Sequence, residues 1–227
     1  MSRVTKNRKV VNSKLNKDEI FTLDKAILKA KDLAYEKFDS TFRASFNLNV
    51  DPKHADQQLR GKLVLPHGTG KKQKILAIVD GDNVDKAKKA GADFVGAEEM
   101  LTKIEREKWF DYDVIITTPN FMPKFGKFGK ILGPKGLMPN PKLNTLTSNV
   151  SKAIEDIKKG SIEYRTDKDG NINVIFGKKS FDNKKLEENF IAIQDEIKRV
   201  KPAKVKGKYI KNISISTSMG PGFKIVI

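Results

Sequence analysis

KILAIVDGDNVDKAKKAGADFVG, from Lys74 to Gly96, sets an apolar run, a polar stretch of helical spacing and a second apolar piece end to end. The first run, 74–79, is too short for a globular helix and too uniformly apolar for a half-exposed strand, so it predicts a strand buried on both faces. Asp82 or Asn83 then caps a helix over 82–90 that stops at Gly91, and 93–96 follows as a second short strand. Further along, Met100, Leu101, Ile104 and Trp109 recur at helical spacing over 98–109, and 113–117 (DVIIT) reads as a buried strand ending before Pro119. A helix over 148–158 closes the series. Strands alternating with short helices predict a small parallel sheet covered on both faces, a Rossmann-like arrangement.

Outside this block the rhythm changes. Leu23, Ala26, Ile27, Ala30, Leu33 and Ala34 share one face of a predicted helix over 22–37. Residues 41–50 alternate strictly, with Phe42, Ala44, Phe46, Leu48 and Val50 inward and Arg43, Ser45, Asn47 and Asn49 outward, the pattern of a half-buried strand. On the far side, 161–165 and 171–176 flank Asp169-Gly170, a hairpin cue. A helix over 184–201, a strand over 209–217, a turn at 219–222 and a last strand over 223–227 complete the chain. Neither flank can bury a core alone. The expected fold is therefore α/β (α+β) in two domains: a split α+β domain from residues 1–66 and 158–227, and an inserted Rossmann-like α/β domain at 67–157.

Charge points to a partner. The 227 residues carry 45 Lys+Arg against 28 Asp+Glu, a formal +17. The segment from Pro66 to Ile157 holds 15 basic and 12 acidic side chains, which leaves 30 and 16, a net +14, on the two ends. Such an excess speaks for a polyanionic partner. Between Phe121 and Thr145 runs FMPKFGKFGKILGPKGLMPNPKLNT, with five lysines, four prolines, four glycines and no acid, which reads as a loop-rich basic surface. The basic start, Ser2 to Lys17, reads as a solvated tail. With no cysteine and two histidines, disulfides, thiolate catalysis and ordinary zinc sites drop out, and no metal or other cofactor is expected. No apolar run of membrane-spanning length and no secretory signal is present, so a cytoplasmic protein with no membrane partner is expected.

Two other function classes compete with this one. Gly68-Thr69-Gly70-Lys71 hints at a phosphate loop for a nucleotide-dependent enzyme, but Leu65 stands where the first glycine belongs, Lys72 replaces the magnesium-binding hydroxyl, and the motif precedes its strand. Asp80 and Asp82 are explained by a turn and a helix cap. A DNA-binding architectural protein fits the net charge, whereas hydroxyl-rich strand ends favour RNA, which alone carries a 2′-hydroxyl.

GPKGLMPNPK (from Gly133), GSIEYRTDK (from Gly160), DQQLRG (from Asp56), LPHG (from Leu65) and TSMGPG (from Thr217) together closely resemble the bacterial large-subunit ribosomal protein family "L-one", of the mobile stalk. The resemblance spans nearly the whole chain. It implies a split first domain, a Rossmann-like insert, and a hinge at the two crossings near 66–68 and 158–160. It also implies binding to large-subunit rRNA beside the exit site for tRNA, with release of that tRNA, repression of its own mRNA, and a monomer off the ribosome. The RNA-binding positions it implies are Lys37, Phe38, Thr41, Glu163, Arg165, Lys168, Thr217, Ser218, Met219 and Gly220. Departures from the family pattern include Asn144 for a glycine, Tyr164 for a phenylalanine, Ala55 for a serine and Ser218 for a threonine.

The chemistry of these residues fits that role. Thr41, Thr217 and Ser218 both donate and accept, as a 2′-hydroxyl or phosphate requires. Phe38 offers a stacking surface or a staple over the first helix, and Met219-Gly220 an apolar group beside bare backbone, with Thr217 and Met219 expected in the interface and clear of the core. Glu163 accepts from a ribose or braces Arg165. In the insert, Lys124, Lys127, Lys130, Lys135 and Lys142 are candidate contacts for tRNA or other RNA, with Phe121, Phe125 and Phe128 either stacking or covering the second sheet.

Overall fold

A computed structural model describes residues 5–13, 15 and 19–226, and the chain divides into two compact units: Met1–Gly70 with Ile162–Ile227, and Lys71–Ser161. In chain order the first elements are α1 (Lys6–Ser13), β1 (Ile20–Phe21), α2 (Leu23–Asp32), β2 (Thr41–Leu48) and β3 (Arg60–Val64). The second unit holds β4 (Ile75–Ile78), α3 (Asp82–Lys89), β5 (Phe94–Gly96), α4 (Glu98–Glu107), β6 (Val114–Thr117), α5 (Met122–Phe125), α6 (Gly129–Leu132) and α7 (Val150–Lys158). The chain returns through β7 (Ser161–Arg165), β8 (Asn171–Lys178), α8 (Asn183–Arg199), β9 (Ile210–Thr217) and β10 (Gly222–Ile225).

In the first unit a five-stranded sheet runs β1-β10-β9-β2-β8, antiparallel except where β1 lies parallel to β10. Strand β2, flanked by β9 and β8, obeys its alternation. Phe42, Ala44, Phe46 and Leu48 are buried in one core with Ala26, Ile27 and Ala30 of α2 and Leu186, Phe190, Ile193 and Ile197 of α8. Phe46 stacks on Phe190 at 5.7 Å between centroids, and Phe176 meets Phe42 and Phe190 edge-on. Each such side chain contributes about 1.5–3 kcal/mol by leaving water.

The β2–β8 ladder slips by one residue, since Phe42 pairs with Gly177 and Arg43 with Ile175, leaving Phe176 as the extra residue of a bulge. Gly177 suits the crowding there, because a Cβ would lie 2.5 Å from Leu186 Cδ2. The Phe176 carbonyl accepts from Asn189 Nδ2 at 2.9 Å. The same buried amide donates to the Gly68 carbonyl at 3.0 Å and accepts from the His67 N–H at 3.1 Å. His67 Nε2 also meets the Glu188 carboxylate.

Two expectations change here. The 161–176 segment is not a simple hairpin: β7 pairs with β3, β8 joins the large sheet, and an isolated Thr166–Ile172 bridge links the arms. Hydrogen bonds explain the split. Thr166 N–H donates to the Leu59 carbonyl at 2.9 Å and its Oγ1 accepts from Leu59 N–H at 3.2 Å, drawing β7 towards β3. Asp167 Oδ1, accepting from the N–H groups of Asp169 (2.9 Å) and Asn171 (2.8 Å), closes the turn at Gly170, whose φ is 78°. Helix α2 stops at Asp32 rather than at 37, and the Ala34 carbonyl is taken by Lys179 Nζ at 3.0 Å.

The second unit is a parallel sheet in the order β5-β4-β6. Strand β4 is buried on both faces, Leu76 and Ile78 in one cluster with Leu101 and Ile104 of α4, Ile75 and Ala77 in another with Ala87 of α3 and Ile154 of α7. The basic stretch after Pro119 is not an open loop. Two 3-10 turns alternate with α5 and α6 through Leu132, and Phe121, Phe125, Phe128 and Leu132, spaced four, three and four apart, turn into the first cluster. The phenylalanines therefore cover the sheet and do not stack on a ligand, while Lys124, Lys127 and Lys130 between them face solvent.

Candidate nucleic-acid interface

The end of β9 lies beside the start of β2, with Phe42 opposite Thr217. The Thr41 N–H donates to Ser218 Oγ at 3.1 Å, which ties the two strand ends together. Thr217 is 4% exposed, so it does not stand clear of the core as expected: its Oγ1 accepts from the Gly220 N–H at 3.1 Å and fixes the turn. Any Cβ at position 220 would meet that oxygen, which is why glycine sits there. Around this braced corner Phe38 is 55% and Met219 51% exposed, and Lys37 is exposed too. Five of the implied positions, Thr41, Thr217, Ser218, Met219 and Gly220, thus gather at one end of the sheet with Lys37 and Phe38 on the chain entering it, presenting hydroxyls, bare backbone, two apolar groups and a cation.

Glu163, Arg165 and Lys168 are elsewhere. They belong to β7 and the turn into β8, on the side of the ladder where Thr166 bridges Ile172 and Asn171 faces Asn47, whereas Lys178 faces Thr41 at the other end. Six residues of β2 separate those registers, roughly 20 Å. Glu163 braces Arg60, not Arg165: its Oε1 accepts from Arg60 Nη2 at 2.8 Å and Nε at 2.9 Å across the β3–β7 pair. Arg165 and Lys168 remain exposed. Between Glu163 and Arg165, Tyr164 turns inward and its hydroxyl donates to Glu196 Oε1 at 3.2 Å. Burial, with Glu196 beside it, pushes that hydroxyl up to about 12. Gly61 makes the room, since a Cβ there would run into the ring.

Between the two ends, the sheet face opposite the helices carries Arg43, Ser45 and Asn47 of β2, Asn173 and Ile175 of β8, Ser214 and Ser216 of β9, and Lys224 of β10. None of these is acidic. The nearest carboxylate in sequence to Thr41, Asp39, accepts from Ser180 N–H and Oγ and lies 3.8 Å from Lys178 Nζ. Sequence reasoning passed over Arg43 and Ser216, although their place on the outward side of alternating strands was the signal. It also passed over Arg8. Residues 6–13 form α1 instead of a free tail, and Arg8 Nη1 reaches the Met219 carbonyl at 3.5 Å; the rest of the expected tail falls partly on residues 1–4, 14 and 16–18, outside the described residues.

In the second unit all five candidate lysines are exposed, but two are already engaged. Lys124 pairs with Glu98 and lies 5.2 Å over the Phe121 ring, and Lys135 lies 4.2 Å over Phe110. Asn144 adopts φ 54°, the left-handed backbone that asparagine tolerates in place of glycine. Asp113, at the start of β6, is held below the usual carboxylate range by its hydrogen bond from Lys71. Among the described residues no group of three or more acidic or histidine side chains could hold a metal, and no helix is long and apolar enough to cross a membrane.

The model of the family described as Ribosomal protein L1p/L10e matches residues 28–221. The chain belongs to that family. Relatives described as large ribosomal subunit protein uL1 are 56% identical in Mesoplasma florum over 227 residues, the full length of both chains, and 55% identical in Mycoplasma capricolum over 99% of each. A third, from Mycoplasma mycoides, is 54% identical over 99% of each chain. As a member of the L1p/L10e family the chain is a large-subunit ribosomal protein and not an enzyme, and its mixed α and β architecture is the one the resemblance implied. Membership also disposes of the phosphate-loop reading: Gly68 (φ 65°) and Gly70 (φ 74°) shape a connection pinned by Asn189, ahead of β4 and not after it.

Proposed function

We propose that the first unit binds large-subunit rRNA at the ribosomal stalk, near the exit site for tRNA, and assists release of that tRNA. The observation that carries the reading is the braced corner where Thr41, Ser218, Met219 and Gly220 adjoin a sheet face free of acidic side chains. Hydroxyls that donate and accept, backbone without a Cβ and unpaired cations are what a ribose-phosphate chain requires. Arg165 and Lys168, at the other end, lie at a spacing that suits a partner about as wide as an RNA duplex. The exposed lysines Lys127, Lys130 and Lys142, with Lys124 and Lys135, are assigned to tRNA or RNA touched by the second unit. The same platform would hold a similar fold in the protein's own mRNA and so repress its translation. The protein works in the cytoplasm as a ribosome component, a monomer when free, with the crossings near 66–68 and 158–160 as its hinge.

The test is binding to a stalk rRNA fragment at two salt concentrations. Affinity is expected to fall with a log–log slope of about −0.7 to −0.9 per phosphate neutralised, and to exceed that for DNA of matching sequence. A flat salt response, or equal affinity for the DNA, would contradict the reading.

A further inference from the structure

Beside the implied positions Thr41, Thr217 and Ser218, three residues that the reading above leaves unused, Arg43, Ile175 and Ser216, complete the lining of a pocket of about 300 Å³ on the open face of the sheet. We propose, resting on the RNA reading above, that this pocket receives one unstacked ribonucleotide of the bound RNA, its base on Ile175, a flanking phosphate on Arg43 and its 2′-hydroxyl on the serines.

The bulge builds the pocket. By absorbing Phe176 as an extra residue, it places Ile175 opposite Arg43, and Arg43 in turn lies opposite Ser216, so that one row across three strands reads apolar, cationic, hydroxyl. Ile175 is the odd residue of its strand, 38% exposed where the same face of β8 otherwise shows Asn171 and Asn173. An apolar side chain left open among amides is a platform for a π-face or a sugar edge. Among the described residues Arg43 has no carboxylate partner, and the rigid fork of its guanidinium matches a phosphate. Ser218 Oγ already accepts from Thr41 N–H, which leaves its own proton to donate, and Ser216 is half-buried at the pocket wall. A DNA nucleotide would leave those hydroxyls without the group they meet. The volume lies at the low end for small-ligand clefts, room for one nucleotide and not for a duplex groove.

The experiment binds the stalk rRNA fragment to the full chain and to Arg43→Gln, Ile175→Ser and Ser216→Ala, reading Kd and the acylation reactivity of each 2′-hydroxyl. Wild type is expected to protect one unpaired nucleotide; Arg43→Gln and Ile175→Ser each lose that protection and weaken binding about tenfold, with an unchanged urea midpoint. A 2′-deoxy substitution at that nucleotide should weaken wild type and leave Ser216→Ala nearly unaffected. If the variants bind and protect as wild type does, the pocket proposal is overturned while the RNA platform stands. If wild type itself fails to bind the fragment, the platform reading fails, and the pocket with it.

Discussion

The two units solve the same packing problem in opposite ways. The inserted sheet hides both faces, so every side chain of β4 is spent on cores and its chemistry is confined to the rims and the helical turns around it. The split unit covers one face with α2 and α8 and leaves the other open, so alternate residues of β2, β8 and β9 are free of packing duty. Phenylalanine density alone misleads about which surface is open: the stretch richest in lysine and phenylalanine turns its rings into a core, while the open strand face is the one to which we assign the rRNA.

The comparison breaks hardest at Phe125. It is fully buried, so Phe125→Ala should lower stability by about 3–5 kcal/mol in urea denaturation; a loss under 1 kcal/mol would mean that the stretch is a surface after all. Asn189→Ala leaves the Phe176 and Gly68 carbonyls and the His67 N–H short of a partner and is expected to cost about 2–4 kcal/mol by the same measurement. Gly220→Ala forces Thr217 Oγ1 aside and should cost about 1–2 kcal/mol while weakening rRNA-fragment binding several-fold, a coupling that the roofed unit offers nowhere. Tyr164 sharpens the contrast through pH. Its folded pKa of about 12 lies above the ordinary tyrosine value of 10.0, so its neutral form contributes stability below pH 10 that is lost as pH rises towards 12. Tyr164→Phe should make the alkaline fall in melting temperature shallower; an identical profile would remove Tyr164 as its source. The smallest effect belongs to the open face, where Ser45→Ala with Ser214→Ala should change stability by under about 0.5 kcal/mol.

Much of this was legible beforehand because it rests on periodicity. The strict alternation of 41–50 and the apolar run at 74–79 each admit one burial pattern, and both strands formed within two residues of the expected ends. The hairpin was misread because Asp169-Gly170 specifies a turn and says nothing of which neighbour each arm then joins; that choice was made by Thr166 and Leu59, far apart in sequence. The helical turns at 122–132 were missed because proline and glycine suppress the expectation of helix, although the four-three-four spacing of Phe121, Phe125, Phe128 and Leu132 was in plain view. Arg43 and Ile175 could not have been joined from sequence, since a one-residue bulge decides that they face one another.

The split sheet also has a timetable. Strand β2 is made roughly 120 residues before β8, its partner on one side, and the whole inserted unit is synthesised between them. At ribosomal speed that delay is on the order of ten seconds, ample for a local parallel sheet to finish folding, while Phe42, Phe46 and Leu48 wait on a strand with both edges open. Chaperone dependence or aggregation during expression should therefore track substitutions in β2 more closely than anything in the insert.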